Sequence, residues 1–277
     1  MSAELVKPRG VLRPQFAHGQ FQHERRLPSA PLADLVEHYW YVRWDLRELP
    51  PQQQATLPHP NVHLVIERNK SHIYGVHTER FERCLEGLDF AFGIKFKPGG
   101  FHPFLQAPVS TLANRSLPVQ AVFGTDCQSL APRITTCANV DAMAVVAEAF
   151  LLANLPPPDP NVARASTLVS AIAGDIGITS VDRLMTTAAI DKRALQRLFQ
   201  KYVGIGPKWV IKRYRLHEAI AQMQDSAPVN WAALALGLGY FDQAHFGRDF
   251  RALVGQSPTE YARSLVADDI SMVAPPM

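Results

Sequence analysis

The chain's densest cluster of residues that could bind a ligand is a run of basic residues between positions 191 and 215. It holds eight basic side chains and one acid, whereas the whole chain of 277 residues carries a net charge of only +3. Contacts from Lys and Arg to phosphates supply most non-specific affinity for duplex DNA, and Arg and Gln can also read base edges in the major groove. This density favours a polyanionic partner. A basic run alone is more often a solvated surface, and it is the two helix-turn-helix patterns described next that favour the polyanion instead. The basic residues of the run are Lys192, Arg193, Arg197, Lys201, Lys208, Lys212, Arg213 and Arg215.

Two consecutive helix-turn-helix patterns position this run and a second polar helix face. Apolar residues recur at helical spacing between residues 181 and 199, and again between residues 231 and 253. Together with their neighbours they predict a compact domain of helices at 163–173, 180–187, 191–202, 207–224, 230–236, 242–253 and 258–264. Each start has a suitable residue, because Asp, Asn and Ser accept hydrogen bonds from free amide groups and Pro suits a first helical position. The predicted N-caps are Ser180, Asp191, Asn230, Asp242 and Ser257.

The part before residue 155 shows the residue pattern of β-strands and not that of amphipathic helices. Runs rich in aromatic and β-branched residues at 38–46, 62–67, 72–76 and 90–96 alternate with turn signals, which predicts an antiparallel sheet or small barrel. A helix over about 141–154 follows, and it either covers that sheet or pairs with a second copy. Its apolar stripe consists of Val145, Val146, Ala149, Phe150 and Leu152.

A Pro-rich segment divides the chain, because four prolines among residues 155–160 forbid a continuing helix. We predict a β-rich sensor or dimerisation domain ending in helices at 1–154, a linker at 155–160, a helical domain at 161–266 and a flexible tail at 267–277. The whole basic excess lies after residue 160. The predicted fold class is α+β multidomain, with a β-rich, cupin-like barrel domain followed by an all-α double helix-turn-helix domain, and each part is expected to fold alone.

Eight of the ten histidines lie before the linker, which raises the alternative of a cupin-like metalloenzyme fused to a helical interaction module. His59, His63 and Glu67 are four residues apart, so in an extended strand successive members lie about 13 Å from each other. One ion cannot bind neighbours at that separation, and no metal site is predicted. Metal bound through His59, His63 or His77 would support the alternative.

Other signals exclude several classes of protein. The three cysteines, Cys84, Cys127 and Cys137, show no CxxC spacing, which favours a reducing compartment. The first residues lack the apolar core of a signal peptide, and the most apolar stretch, 143–152, is too short to span a bilayer. No catalytic or phosphate-binding motif appears. We therefore expect a cytoplasmic protein that is not an enzyme and needs no cofactor or membrane.

The sequence resembles the AraC/XylS-type transcription regulators. The run GYFDQAHFGRDFRALVGQSPTEYAR at 239–263 is similar to the family signature over its second helix-turn-helix, and RALQRLFQKYVGIGPKWV at 193–210 is similar to its first recognition helix and the start of its linker helix. The resemblance extends over about residues 163–264. It implies two subdomains joined by the helix at 207–224, with recognition helices entering successive major grooves about 34 Å apart.

Matching this pattern residue by residue places the DNA-binding side chains on the two recognition helices. They are Arg193, Gln196 and Arg197 in the first, and Gln243, Ala244 and Arg248 in the second. Lys192, from the basic run, is a further predicted DNA-binding residue of the first helix. Ala244 can only touch a thymine methyl, and Ala189 stands at a turn where the family usually has Gly. The implied partner is double-stranded DNA. A small-molecule effector, RNA polymerase and a second copy of the chain are further candidate partners, and no effector-binding residue is identified.

Overall fold

The computed structural model describes residues 21–68, 70–224 and 230–273, with side chains described as far as residue 265. Residues 1–20 of the predicted first domain and 274–277 of the predicted tail lie outside that part. A β-rich N-terminal region is followed by a helical C-terminal region, so the predicted broad fold class is confirmed. The strands are β1 (Phe21–Arg26), β2 (Val36–Leu46), β3 (Gln52–Thr56), β4 (His63–Glu67), β5 (Ser71–Tyr74), β6 (Phe81–Leu85), β7 (Gly87–Phe96) and β8 (Ser116–Pro118).

Six strands form one antiparallel sheet in the order β1-β2-β7-β4-β5-β8, and β3 pairs with β6 in a separate ribbon. Within the described residues the sheet ends at β1 and β8, so a closed cupin-like barrel is not confirmed. The four predicted runs correspond to β2, β4, β5 and β7. Sequence reasoning missed the other four strands. The reason is clearest in β3, whose sequence QQQAT lacks apolar alternation.

The helices of the N-terminal region are α1 (His102–Leu105), α2 (Gln120–Phe123), α3 (Leu130–Thr135) and α4 (Val140–Ala153). Helix α4 packs Met143, Ala147 and Phe150 into the core on one face of the large sheet. Only part of its predicted apolar stripe faces inward, because Val145 is 67% exposed and Leu152 is also exposed. The helix therefore covers its own sheet and still presents a narrow apolar face to solvent.

In the part of the chain that the structure describes, seven α-helices follow: α5 (Pro160–Gly174), α6 (Val181–Ala188), α7 (Lys192–Leu198), α8 (Pro207–Gln224), α9 (Trp231–Gly237), α10 (Gln243–Val254) and α11 (Pro258–Val273). All seven predicted helices are present within a few residues of their expected bounds, except that α11 continues well past residue 264. The predicted N-caps also form, since Ser180, Asp191, Asn230, Asp242 and Ser257 each accept a hydrogen bond from an amide of the first helical turn. No described helix has the length and apolar character needed to cross a bilayer.

Side chains before and after the Pro-rich segment pack against each other. Leu57, in the segment after β3, is buried in the same apolar cluster as Leu216 and Ile220 of α8. Nearer the boundary, the Tyr202 hydroxyl donates to Asp159 at 2.6 Å, and its ring lies 4.2 Å from that of His102. Apolar surface therefore crosses the predicted domain boundary, and part of the helical core is completed by the N-terminal region.

Candidate nucleic-acid interface

Helix α7 is the second helix of the first helix-turn-helix. It begins after Asp191, whose carboxylate accepts from the Ala194 amide at 2.9 Å, and it is held inward by Leu195 and Leu198. The chain then continues through one π-helical turn, Phe199–Val203, which Gly204 ends with a positive φ of 90°. This anchoring leaves four predicted site residues of α7 exposed: Lys192, Arg193, Gln196 and Arg197.

Helix α10 has the same construction in the second helix-turn-helix. The Asp242 carboxylate accepts from the His245 amide at 2.6 Å, while Phe246 and Phe250 are fully buried. The remaining three predicted site residues are exposed: Gln243, Ala244 and Arg248. All seven predicted side chains are thus accessible, on the faces opposite the buried sides of two capped helices.

The turns before these helices differ from one another. Ala189 takes the left-handed conformation, with φ of 46° and ψ of 48°, so the turn forms in spite of its Cβ. In the second motif Gly239 has a φ of 71°, and one more residue precedes the N-cap. That turn carries Phe241, which is 88% exposed beside the start of α10.

The basic run is only partly directed to solvent. Five of its residues, Lys192, Arg193, Arg197, Lys201 and Lys208, are exposed. Lys212 instead pairs with Asp249 of α10 at 2.7 Å, Arg213 is buried, and the Arg215 guanidinium lies 4.1 Å from the centre of the Tyr240 ring. The basic run therefore contributes five side chains, and not eight, to a surface that a polyanion could contact. The reason is that α8 runs through the interior of the helical region, so its sides face other helices.

The basic residues among the predicted site side chains form no ion pair within the described residues, a property they share with other exposed cations such as Arg115 and Arg164. Among the ion pairs of the described residues, none includes Lys192, Arg193, Arg197 or Arg248. Arg251, which shares the outer side of α10, pairs with Glu260 at 2.9 Å. The four unpaired cations keep their hydrogen-bond donors available to a ligand.

The histidines of the metalloenzyme alternative are separated in the structure. His63 accepts a hydrogen bond from the Trp40 indole at 3.3 Å, whereas the His59 ring lies 4.3 Å from His217 of α8. Glu67 forms an ion pair with Arg83. In the part of the chain that the structure describes, no three His, Cys, Asp or Glu side chains are grouped in a way that could hold a metal ion.

Comparison with known proteins assigns the region that contains α7 and α10. Residues 184–264 match a family model described as a helix-turn-helix domain. Residues 184–264 form an AraC-type helix-turn-helix domain. Residues 24–118 match a second model, described as a domain of unknown function, DUF6597. The resemblance inferred from the sequence is thereby confirmed for the AraC-type domain.

Curated relatives match only about a third of this chain. The HTH-type transcriptional regulator MtrA of Neisseria gonorrhoeae is 26% identical over 84 residues, which are 30% of this chain and 28% of that protein. The XylDLEGF operon transcriptional activator 1 of Pseudomonas putida is 31% identical over 86 residues, 30% of this chain and 26% of that protein. The match therefore spans about a quarter of each relative's length.

A solved structure is similar over more of the chain. ToxT from Vibrio cholerae is 13% identical and aligns over 89% of this chain and 98% of that one, with a TM-score of 0.39. At this TM-score the likeness supports no conclusion beyond the observation itself.

Proposed function

We propose that this chain is a sequence-specific DNA-binding transcription regulator that reads two adjacent major-groove sites with α7 and α10. The observation that carries the proposal is the matched pair of capped helices. Each is anchored by buried apolar residues and presents exposed Arg and Gln side chains on its outer face. These are the side chains that pair with guanine and adenine in the major groove.

The proposed roles follow from side-chain chemistry and position. Arg193, Gln196 and Arg197 would read bases from α7, while Lys192, at the first position of that helix, would contact a phosphate. Gln243 and Arg248 would read the second site. Ala244 offers only a methyl group, so the second helix is expected to specify fewer base pairs than the first.

The N-terminal region is proposed to modulate DNA binding, through a small-molecule effector or through homodimerisation. Its contacts with the helical region, such as Leu57 in the core beside α8, give it a direct mechanical connection to the DNA-binding helices. The exposed side of α4, with Val145 and Leu152, is the surface proposed for a second copy. RNA polymerase stays a candidate partner, and a cytoplasmic location stays a prediction.

Selection of bound DNA from a random duplex pool tests the proposal. We expect an enriched site with two parts whose centres are separated by about 10–10.5 base pairs, one turn of the duplex. Affinity for that site should fall steeply with salt as counterions are released from phosphates. The double variant Arg197→Ala/Arg248→Ala is the control and should lose selectivity at the base pairs that these two residues read, while the other positions of the site stay enriched. A wild-type chain that enriches nothing, or a flat salt response, would contradict the proposal.

The proposal also states that the chain is not an enzyme and needs no cofactor. The curated relatives, which match about a third of this chain, are named as a transcriptional regulator and a transcriptional activator, and this supports the assignment. Metal analysis of the purified full chain addresses the cupin-like metalloenzyme alternative. Stoichiometric metal that is lost in the variants His59→Ala or His63→Ala would favour that alternative.

A further inference from the structure

A cavity of about 250 Å³ lies between α8 and α10, away from the outer faces assigned to DNA. Its apolar wall is formed by Trp209 and Leu216 of α8 and Leu253 of α10. Thr78 of the N-terminal region also lines it. Three charged residues, Lys212, Arg213 and Asp249, also line it. The cavity therefore contacts the long helix α8, the second helix-turn-helix through α10, and the N-terminal region.

Arg213 is the unusual member of this lining. Its side chain is only 2% exposed, yet Nε and Nη1 have no hydrogen-bond partner among the described residues. The remaining nitrogen, Nη2, donates to the Thr78 carbonyl at a long 3.4 Å, and the guanidinium lies 4.8 Å from the centre of the Trp209 ring. Burial lowers the pKa of Arg213 to about 9, so the group is still charged at neutral pH.

The carboxylate in the cavity does not neutralise this charge. Asp249 Oδ1 lies 2.7 Å from Lys212 Nζ, and Oδ2 lies 3.8 Å from His245 Nε2. Lys212 and Asp249 thus form a pair of zero net charge, and Arg213 adds one positive charge beside it. A buried charge without a partner is strongly unfavourable, whereas an anion placed against it would compensate that cost.

We propose that this cavity binds a small organic anion with a single carboxylate and an apolar body. The unused N–H groups of Arg213 would donate to the carboxylate, and Trp209, Leu216 and Leu253 would contact the apolar part. Binding at this site is independent of the outer faces of α7 and α10, so the inference goes beyond the proposed DNA-binding function and can fail separately from it.

Calorimetric titration of the full chain without DNA tests the site, with phenylacetate as the probe and phenylacetamide as its uncharged counterpart. We expect phenylacetate to bind at one site and phenylacetamide to bind at least about 10-fold more weakly, because hydrogen bonds to a charged group contribute about 1.5–3 kcal/mol. The variant Arg213→Met keeps the side-chain volume and should lose phenylacetate binding by a similar factor. The matched control is Lys208→Met, which removes an exposed cation from the same helix and should leave binding unchanged.

Several results would overturn the inference. Equal binding of the acid and the amide would show that Arg213 does not select the charge. Undiminished phenylacetate binding by a folded Arg213→Met variant would place the ligand elsewhere. Inorganic phosphate binding as tightly as phenylacetate would remove the role of the apolar walls. Absence of any phenylacetate binding at millimolar concentration would also refute the site.

Discussion

Truncation of Leu57 tests whether the N-terminal region completes the core of the helical region. The Leu57 side chain is 2% exposed and belongs to the apolar cluster built around α8, α10 and α11. Replacing a fully buried Leu by Ala removes burial and leaves a cavity, at a cost of about 2–5 kcal/mol. Leu57→Ala should therefore lower the free energy of unfolding by that amount, although residue 57 lies about a hundred positions before the linker.

Urea denaturation followed by tryptophan fluorescence and far-UV circular dichroism measures this effect. Trp40 and Trp44 report on the N-terminal region, and Trp209 and Trp231 report on the helical region. If the two regions form one cooperative unit, the two probes should give coincident transitions in the wild-type chain.

The matched control is Leu49→Ala, which truncates a leucine that is 37% exposed in the same N-terminal region. This variant should lose less than about 1 kcal/mol, as surface substitutions usually do. A Leu57→Ala variant within about 0.5 kcal/mol of the Leu49→Ala variant would refute the reasoning, because it would mean that the contact across residue 160 contributes no stability.

Three further predictions concern the recognition helices, acid stability and the first turn. Arg197→Ala should lose about 1–3 kcal/mol of discrimination at one base pair, whereas Lys192→Ala should weaken binding to all DNA sequences alike and reduce the salt slope by about 1. Fluorescence anisotropy measures both effects. Equal loss of affinity for specific and random duplexes in Arg197→Ala would show that Arg197 does not read a base. Burial lowers the pKa of His63 to about 3, so between that pH and 6.5 the unfolded chain binds a proton that the folded chain does not, and stability should fall on acidification by up to about 1.4 kcal/mol per pH unit. In urea titrations at pH 6 and pH 4, His63→Gln should reduce the loss of unfolding free energy between the two pH values. An unchanged loss would contradict the prediction. Ala189→Gly should raise the thermal midpoint, since Ala holds a left-handed φ of 46° at a cost of about 1 kcal/mol that Gly avoids; a lower midpoint would show that the turn is not strained.

The helical region was largely predictable because its signals are local. Each helix starts at a residue whose own side chain caps it, as Asp191 and Asp242 do, and apolar spacing identifies the buried side. An amphipathic helix anchored on one face must expose the other, so the accessibility of Arg197 and Arg248 also follows from spacing.

The orientation of α8 was less accessible to the same reasoning. Arg213 and His217 lie at helical spacing from Val210 and Ile220, so the pattern does mark them as inward-facing, but their charge and polarity favoured a solvent position. Burial of Arg213 depends on Thr78, Trp209 and α10 meeting around it, and that arrangement is a property of the assembled chain.

By itself, the sequence determined the order and approximate bounds of the seven C-terminal helices, their caps, and the side chains of α7 and α10 that remain outside, because these depend on residues within one or two helical turns. Tertiary structure decided the rest. Within the described residues it left the sheet open at β1 and β8. It also directed only five of eight basic residues outward, exposed Val145, and placed Leu57 in a core formed mainly by residues after 160. Strand pairing and long-range burial depend on segments distant in sequence, whose meeting no local pattern specifies.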